Sequence, residues 1–484
     1  MGFNKKSVIF FGFVIHVCAA IFSVGYHHCD ELFQIFEFAG YKLGINNVND
    51  LPWEFNEQMR SGIQPLIVYL FTKGFYAISI YNPFTIALFI RLIQGLLSFL
   101  AIVLLLNYLE KFIISQKLKL WLWAFTLLFW CLPYFHVRFS SENFSATIFV
   151  FALAILLPKL NSNLNFWMYL LVGIFLGISF LSRFQISFFI IGLFAWLFFI
   201  QKIHSKNLLI IFIGLLMALG IGILADYWLY GEFTLSWWNY LNLNLFKDKA
   251  STFGKEPIYF YLTEALVQLI PPFSLLIIFS SFAFWKTNRL HVITWLTLPF
   301  ILLHSFVSHK ELRFLFPVLN FLPFMMVVYF QSRENSKVKF NLFLKKPNLL
   351  YFAIVVNFSL LVFFTFKPAD NNSNALKAIF DNVKGENPIL FYESNNPYNN
   401  AGALNYFRNK KINTIKLTPD SLINSNVKDR YYFSEKFNEG ETILKNNKKF
   451  ACIYSNFPTW FSYLNFNGWL DRSFTFSIYK QQND

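Results

Sequence analysis

Twelve long apolar segments fill the first 366 residues of this 484-residue chain, and mostly short polar connections separate them. An α-helix of about 17 to 25 apolar residues can cross the hydrocarbon core of a bilayer. Charged residues make up 14% of the chain, well below the fraction of about a quarter that is usual in soluble domains. The pattern therefore predicts an α-helical polytopic membrane protein. The segments lie at 7–25, 63–80, 84–107, 118–135, 142–158, 165–181, 184–201, 207–225, 259–285, 290–307, 312–331 and 348–366.

Basic residues in the short connections predict how these helices are oriented. They cluster at Lys5-Lys6, in 110–119, at Lys159, in 202–206, in 286–289 and in 333–346. The positive-inside bias places such clusters in the cytoplasm. The polar loops 26–62, 226–258 and 308–313 then face the opposite side of the membrane. The loops that carry the chemically interesting residues are thus predicted to share one face.

The expected helix count follows from the same assignment. Because 26–62 lies outside and 110–119 lies inside, residues 63–107 must cross the membrane an odd number of times. We expect the segment 63–80, which contains Lys73, to lie in the interface or to re-enter rather than to span. The prediction is about eleven membrane-spanning helices, and thirteen would also satisfy the constraint.

The hydrophobic pattern ends at residue 366. Residues 367–484 are rich in Asn, Lys and Ser and contain short β-like runs at 389–392 and 474–479, which predict a small soluble α/β domain. The chain is thus divided into a transmembrane domain, 1–366, with the first external loop at 26–62, and an extracytoplasmic C-terminal domain, 367–484.

Two further features of the composition exclude classes of function. The net charge of +15 is spread over many connections, whereas nucleic-acid-binding proteins concentrate basic residues in one patch, so we predict no nucleic-acid partner. The four cysteines show no paired spacing, which predicts neither a disulfide framework nor a zinc site.

The first external loop opens with His27-His28-Cys29-Asp30-Glu31. Adjacent carboxylates at a membrane surface can supply a general base, because repulsion and partial burial raise one pKa. Asp30 also precedes a plausible amphipathic helix and would serve equally well as its N-cap. Contiguous residues rarely point at one ion, so we predict no metal here. Glu54 and Arg60, further along the loop, are either a surface ion pair or part of a site.

The loop 226–258 mixes aromatic side chains with asparagines, among them Trp237, Trp238 and Asn239. Aromatic faces with amide groups suit sugar binding, although an interfacial aromatic belt explains the tryptophans as well. Arg183 and a polar stretch at 138–143, which includes Glu142, are predicted to reach the same face.

The segment His309-Lys310-Glu311-Leu312-Arg313-Phe314 packs four ionisable residues between two long apolar segments. Cations that merely anchor a helix end are expected on the cytoplasmic side, whereas these are predicted to lie outside. Arg offers bidentate contacts to a phosphate and Lys offers a point charge. The segment is therefore either a snorkelling boundary or a binding site for a phosphate-bearing lipid, and the second interpretation fits its side of the membrane better.

Several motifs in the same order resemble glycosyltransferase family 22, the dolichyl-phosphate-mannose-dependent α-mannosyltransferases of glycosylphosphatidylinositol-anchor and N-glycan assembly. The family signature His-Lys-Glu-Glu-Arg-Phe is matched by HKELRF at 309–314. Asp30-Glu31 with Gln34 and Glu37, Trp-Glu-Phe and Arg-Ser-x-x-x-Pro within 53–65, and the stretch from Asp226 to Gly254 also fit. Leu312 departs from the pattern, since the family usually has a second Glu there. Residues 367–484 are the part that the resemblance covers least.

The resemblance implies a GT-C fold and an inverting transfer of mannose from a polyprenyl phosphate to a glycan or glycolipid acceptor. In that scheme Asp30 deprotonates the acceptor hydroxyl, and Glu31 either orients the acceptor or shares that proton. The departing lipid phosphate is stabilised by Lys310 and Arg313 together with His309. Further substrate-binding residues implied at the same face are Glu54, Arg60, Arg183, Asn239 and Glu311. The scheme needs no cofactor and no metal.

Two other functions stay open at this point. Leu312 leaves room for transfer of a different polyprenyl-phosphate-linked sugar by the same fold. A non-enzymatic transporter of lipid-linked glycans should show an internal repeat, which the sequence lacks. Gly173-x-x-x-Gly177 indicates close helix packing only. The Phe, Ile, Asn and Lys bias favours a bacterial plasma membrane, or the endoplasmic reticulum membrane if the chain is eukaryotic, and the oligomeric state is not predicted.

Overall fold

The computed structural model describes residues 4–160, 165–334, 347–392, 395–399, 404–416, 429–435 and 450–482. They form two compact units. One consists of Met1–Ser23, Pro52–Ala77 and Ala87–Lys367, and the other of Val24–Leu51, Ile78–Ile86 and Pro368–Asp484. The first unit is helical and the second contains the β-sheet, so the predicted α-helical polytopic chain with a small C-terminal α/β domain is confirmed.

The α-helices are numbered here in chain order. They are α1 (Lys5–Phe22), α2 (Glu37–Lys42), α3 (Trp53–Asn56), α4 (Ile63–Ala77), α5 (Pro83–Leu109), α6 (Gln116–Leu128), α7 (Leu132–His136), α8 (Ser141–Leu156), α9 (Phe166–Ser182), α10 (Ser187–Ala195), α11 (Ser205–Tyr230), α12 (Ser236–Leu241), α13 (Phe260–Gln268), α14 (Phe273–Thr287), α15 (Val292–Phe306), α16 (Phe316–Leu319), α17 (Leu322–Glu334), α18 (Pro347–Phe366), α19 (Asn371–Asn382) and α20 (Trp469–Arg472). Each predicted apolar segment corresponds to one of these helices or to two consecutive ones.

Polar residues set the starts of several apolar helices. The side chains of Asn4, Ser115, Ser140 and Asn165 accept backbone N–H groups of the first turns of α1, α6, α8 and α9. Such caps satisfy N–H groups that have no partner within the helix. The helices are apolar on most sides, which is typical of helices that contact lipid as well as each other.

Four described helices are long and apolar enough to cross a membrane: Lys5–Phe22, Pro83–Phe112, Ser141–Lys159 and Ser205–Tyr230. Three pairs of consecutive helices that bend sharply raise this number to seven if each pair is one span. Other apolar segments, such as Phe166–Ser182, form shorter helices. The count of about eleven spans therefore stays a prediction, and so does the interfacial placement of 63–80.

Helices α9 and α11 approach each other so closely that glycine is required at their contact. A Cβ atom on Gly173 would lie 2.0 Å from the carbonyl oxygen of Ile211, and one on Gly214 would lie 2.3 Å from that of Leu170. Backbone atoms cannot move aside as a flexible side chain can, so this crossing tolerates no methyl group. The packing role predicted for Gly173 agrees with the small residues found at membrane helix interfaces.

We expect Gly173→Ala to destabilise the first unit by about 1–3 kcal/mol, the usual cost of overpacking a tight interior. Gly220→Ala is the matched control in α11, because a Cβ atom there would meet nothing within 4 Å. Thermal unfolding of the two purified variants in detergent measures the difference. Equal melting temperatures would show that the crossing can relax.

The second unit contains a five-stranded mixed sheet. Its strands are β1 (Ile389–Tyr392), β2 (Asn413–Lys416), β3 (Arg430–Ser434), β4 (Phe450–Ser455) and β5 (Ser477–Gln481), in the order β2-β1-β3-β5-β4. Strand β1 is parallel to β2 and β3, whereas β5 is antiparallel to β3 and β4. Strand β3 is buried along its whole length, as expected of a strand covered on both faces. The run at 389–392 is a strand as predicted, and the run at 474–479 becomes one only from Ser477.

The division of the chain differs from the predicted boundary at residue 366. Residues 24–51, assigned from the sequence to the transmembrane domain, belong to the second unit. Aromatic packing is the physical reason, because the ring of Phe36 lies 5.3 Å from that of Tyr406 and 5.5 Å from that of Phe407. Phe84 contacts Phe407 in the same way, at 5.1 Å.

Candidate active site

The segment 309–314 forms a compact charged cluster in the first unit. Glu311 has an extended backbone, and a 3₁₀ turn, Leu312–Leu315, follows it before α16. The Arg313 guanidinium donates to both oxygens of the Glu311 carboxylate, from Nε at 2.6 Å and from Nη2 at 2.9 Å. His309 Nε2 lies 3.1 Å from Glu311 Oε1. Glu311 thus orients two of the residues predicted to bind the donor phosphate.

Two residues far away in the sequence complete this cluster. The carboxylate of Glu142, in the first turn of α8, lies 3.2 Å from Arg183 Nη2 and 3.6 Å from Arg313 Nη1. The Phe314 ring lies under both guanidiniums, with its centroid 4.9 Å from Arg183 Cζ and 5.5 Å from Arg313 Cζ. Cations at this distance over a ring are attracted by its π-electrons. Arg183, predicted as a substrate-binding residue, therefore adjoins Arg313.

Lys310 differs from the arginines in its partner. Its ammonium donates to the backbone carbonyl oxygen of Glu256 at 2.7 Å, and its side chain is buried. Burial lowers the pKa of Lys310, because a charged group is less well solvated there, and the carboxylate of Glu256 opposes this effect. Among the described residues, no carboxylate oxygen lies within ion-pair distance of Lys310. In this it differs from Arg183 and Arg313, which are ion-paired with carboxylates.

Glu54 and Arg60 form a short ion pair, 2.6 Å between Oε1 and Nη2. The Arg60 guanidinium also lies 5.4 Å from the centre of the Tyr240 ring. The backbone carbonyl oxygen of Arg60 accepts a hydrogen bond from the Tyr230 hydroxyl at 2.6 Å. Both side chains are mostly buried. The pair is therefore fixed by packing rather than loosely exposed at a surface.

The loop 226–258 is held against residues 58–62 by a buried carboxylate. Asp226 accepts the backbone N–H of Gly62 at 2.7 Å and the Ser236 hydroxyl at 2.5 Å. Asn239, predicted to bind substrate, instead donates to the carbonyl oxygen of Gln58 and to the Thr234 hydroxyl. The amide nitrogen of Asn239 therefore stabilises the loop in this structure, and its role towards a substrate stays a prediction.

Aromatic stacking joins three motifs that are widely separated in the sequence. The Trp53 and Phe253 rings stack with centroids 5.8 Å apart and an interplanar angle of 23°. Phe253 in turn lies 6.0 Å from the ring of His309, and the Lys249 ammonium lies 5.4 Å from the centre of the Trp53 ring. The aromatic residues of the first and later loops thus adjoin the charged segment 309–314.

In the second unit, Asp30 begins a helical run instead of preceding it. The N–H groups of Leu32 and Phe33 donate to the carbonyl oxygen of Cys29, so the helical backbone is already formed at Asp30. The N-cap role of Asp30 is therefore wrong by one residue, since Cys29 occupies the N-cap position. Its carboxylate lies 3.5 Å from His28 Nδ1 and is partly exposed.

Glu31 is almost fully buried, and its carboxylate accepts the backbone N–H of His27 at 3.2 Å. Cys29 Sγ lies 3.7 Å from His28 Nδ1 and 3.9 Å from Asp30 Oδ1. These atoms are close enough to be compared with a metal site, yet three contiguous residues are an unusual ligand set. That the chain requires no metal stays a prediction.

Glu37, part of the first-loop motif that begins with Asp30-Glu31, has a defined environment in the structure. Its side chain is fully buried, Oε1 accepts the Tyr406 backbone N–H at 3.0 Å, and Oε2 accepts from the Asn46 amide at 2.7 Å. Burial raises the pKa of Glu37 to about 7, and the hydrogen bonds from Tyr406, Asn46 and Asn405 oppose the rise.

We expect Glu37 to make the second unit less stable as the pH rises from about 4.5 to about 7. Over that range the unfolded chain has lost this proton and the folded unit still holds it, so the free energy of unfolding falls. One pKa unit corresponds to about 1.4 kcal/mol, so the loss is about 3 kcal/mol. Thermal unfolding should show a weaker pH dependence in Glu37→Gln than in the wild type. Glu386→Gln, at an exposed position, should follow the wild type, and identical profiles for all three would refute the effect.

The chain is similar in sequence to known proteins over most of its length. The profile of the Alg9-like mannosyltransferase family matches residues 7–399. "GPI mannosyltransferase 3" of Candida albicans is 27% identical over 344 residues, which cover 70% of this chain and 64% of that protein. "GPI alpha-1,2-mannosyltransferase 3" of Homo sapiens is 25% identical over 339 residues, 66% of this chain and 55% of that protein. The chain thus spans less than two thirds of the length of these relatives.

Among solved structures, ArnT from Cupriavidus metallidurans bound to undecaprenyl phosphate aligns with a TM-score of 0.48 and 9% identity, over 98% of this chain and 97% of that one. The archaeal oligosaccharyltransferase AglB from Archaeoglobus fulgidus aligns with a TM-score of 0.42 and 11% identity, over 94% of this chain and 73% of that one.

Proposed function

Because the chain belongs to the Alg9-like mannosyltransferase family, we propose that it is an inverting α-mannosyltransferase that uses a polyprenyl-phosphate-mannose donor. Membership of this family also implies the GT-C fold that is expected from the sequence. The acceptor is a hydroxyl group of a glycan or glycolipid. Two relatives of this chain are named GPI mannosyltransferase 3 and GPI alpha-1,2-mannosyltransferase 3.

One observation supports the donor assignment most directly. Lys310, Arg313 and Arg183 are cations with little exposure, gathered at one cluster in the first unit. Transfer of mannose from such a donor leaves a phosphomonoester, whose negative charge increases as the glycosidic bond breaks. Cations fixed in advance around that phosphate stabilise the transition state more than the ground state. Such a cluster suits a leaving group of this charge, which supports the donor assignment.

The remaining roles follow from an inverting displacement at the anomeric carbon. Asp30 removes the proton from the acceptor hydroxyl, and Glu31, which is more buried, orients the acceptor. A single base suffices, because the acceptor oxygen attacks directly and no covalent intermediate forms. Protein cations carry the charge of the departing phosphate, so the reaction needs no metal. We place the reaction on the extracytoplasmic face of a membrane, with the bacterial plasma membrane as the favoured location.

The proposal is tested with the purified protein in detergent and a radiolabelled polyprenyl-phosphate mannose. Release of polyprenyl phosphate should depend on added glycolipid acceptor, and the label should appear in the acceptor as an α-linked mannose. Polyprenyl-phosphate glucose is the competing donor in a parallel reaction. Transfer of glucose in place of mannose would overturn the donor assignment, and movement of intact lipid-linked glycan without bond cleavage would overturn the enzymatic assignment.

Leu312 supports a second candidate, a transferase of the same fold for a different polyprenyl-phosphate-linked sugar. It occupies the position of the second Glu in the family signature and is partly buried in the turn between Glu311 and Arg313. A leucine cannot accept a hydrogen bond from a sugar hydroxyl. The competing-donor reaction above distinguishes the two candidates.

A further inference from the structure

Glu142 occupies a position that the proposed chemistry does not explain. Its side chain is 3% exposed, and one of its oxygens faces the guanidiniums of both Arg183 and Arg313. A carboxylate lowers the positive potential of a phosphate site, so its presence beside two arginines needs a reason. We propose that Glu142 is a positioning residue that holds Arg183 and Arg313 as a pair and limits their affinity for the departing polyprenyl phosphate. The inference rests on the proposed function.

The local structure fixes the Glu142 carboxylate before any ligand arrives. Ser140 caps α8 by accepting the N–H of Asn143 at 3.3 Å, which anchors the first turn of the helix. The Ser141 hydroxyl donates to Glu142 Oε2 at 3.3 Å and accepts from Arg183 Nη1 at 3.4 Å. A negative charge in the first turn is also favoured by the helix dipole. The position of Glu142 is therefore set by α8 and not by the arginines alone.

The guanidiniums in turn depend on Glu142 for their arrangement. Arg183 follows the end of α9, and Arg313 lies in the 3₁₀ turn before α16. The two arginines thus belong to different elements, and no shared backbone segment fixes one relative to the other. Two guanidiniums that contact the same Phe314 ring repel each other. A carboxylate between them offsets that repulsion and fixes both planes. With both planes fixed, the N–H groups of Arg183 and Arg313 keep a constant direction, which a single arginine on a flexible side chain would not.

The charges of the cluster explain the second part of the inference. Arg183 and Arg313 are ion-paired with Glu142 and Glu311, whereas Lys310 has no ion pair among the described residues, so the positive charge of Lys310 is offset less directly. A site with more positive charge would bind the phosphate product more tightly and release it more slowly, and product release limits turnover in many enzymes. Glu142 thus keeps the affinity for the phosphate product low enough for release, while the fixed guanidiniums still stabilise the charge that develops as the glycosidic bond breaks.

The test compares direct binding of polyprenyl phosphate with turnover in the full-length protein. Glu142→Gln removes the charge with little change of shape, and we expect roughly tenfold tighter binding of polyprenyl phosphate together with a kcat about ten- to a hundredfold lower. Glu142→Asp keeps the charge but shortens the side chain, so binding should stay near the wild-type affinity while kcat falls. A purely structural residue would weaken binding in both variants.

Glu110→Gln is the matched control, because it breaks an ion pair with Lys5 elsewhere in the first unit and should change neither quantity. Unchanged or weaker product binding in Glu142→Gln, with a wild type that binds normally, would overturn the inference and leave the proposed function intact. A wild type that does not bind polyprenyl phosphate would overturn both. If Glu142→Gln does not fold, Glu142→Asp decides, since wild-type kcat in that variant would contradict positioning.

Discussion

Asp30→Asn is expected to lower kcat of mannosyl transfer by about a hundred- to ten-thousandfold, the usual contribution of a general base. Asparagine has nearly the shape of aspartate but cannot accept the proton of the acceptor hydroxyl. Asp30 lies in the first turn of its helical run, where its backbone N–H is 3.3 Å from His28 Nδ1, and asparagine preserves that backbone contact. The loss should appear in turnover, while binding of polyprenyl phosphate stays within about twofold of the wild type because donor binding does not use this group.

Asp50→Asn provides the matched control for this experiment. Asp50 is an exposed carboxylate in the same segment, 24–51, so the substitution removes one negative charge from the same unit. Turnover should be unchanged in Asp50→Asn. If Asp30→Asn also transfers mannose at the wild-type rate, Asp30 is not the base, and Glu31→Gln becomes the variant to measure next.

The helices could be predicted from the sequence because their signals are local. Apolar runs of sufficient length between polar caps specify membrane helices without knowledge of their partners. The role of Gly173 was equally accessible, since a small residue on an apolar helix indicates a close approach. Which backbone it approaches, Ile211 in α11, depends on tertiary packing and could not be predicted.

The charged cluster was predictable only in part. The sequence places His309, Lys310, Glu311 and Arg313 together, and the extended backbone at Glu311 allows its side chain to meet that of Arg313 two residues later. Glu142 lies far away along the chain, and the packing of α8 against α9 and α16 brings it to the arginines. A carboxylate in the first turn of an apolar helix was the available signal, because burying such a charge in a membrane protein is costly without a partner.

The boundary of the second unit shows a different limit. The amino-acid composition changes once, at residue 366. A domain boundary drawn from composition therefore cuts the chain into two continuous domains. The second unit is discontinuous, because Phe36 and Glu37 contact Tyr406. Neither residue is unusual for a loop near a membrane. Their contacts with Tyr406 show that 24–51 belongs to the second unit. The Tyr406 ring packs against Phe36, and the Tyr406 backbone N–H donates to Glu37.

Lys310→Met should have the second largest effect, with kcat about a hundred- to a thousandfold lower and weaker binding of polyprenyl phosphate. Arg183 and Arg313 have carboxylate partners, whereas the partner of Lys310 is the carbonyl oxygen of Glu256, so the substitution removes the positive charge that has no ion pair among the described residues. Removal of one preorganised group that stabilises developing charge commonly costs this much in kcat. Methionine fills a similar volume, so packing around the buried stem is retained.

Two further variants separate charge from geometry. Lys310→Arg keeps the charge, and we expect it to recover product binding to within about tenfold of the wild type, although the planar guanidinium cannot place its donors as an ammonium does. Lys255→Met, an exposed lysine on the loop 226–258, should leave both kcat and product binding unchanged. If Lys310→Met retains wild-type binding and turnover, Lys310 is only an anchor at a helix boundary. The phosphate would then have to be bound by arginines already paired with carboxylates, which requires Glu311 or Glu142 to move away when the donor binds.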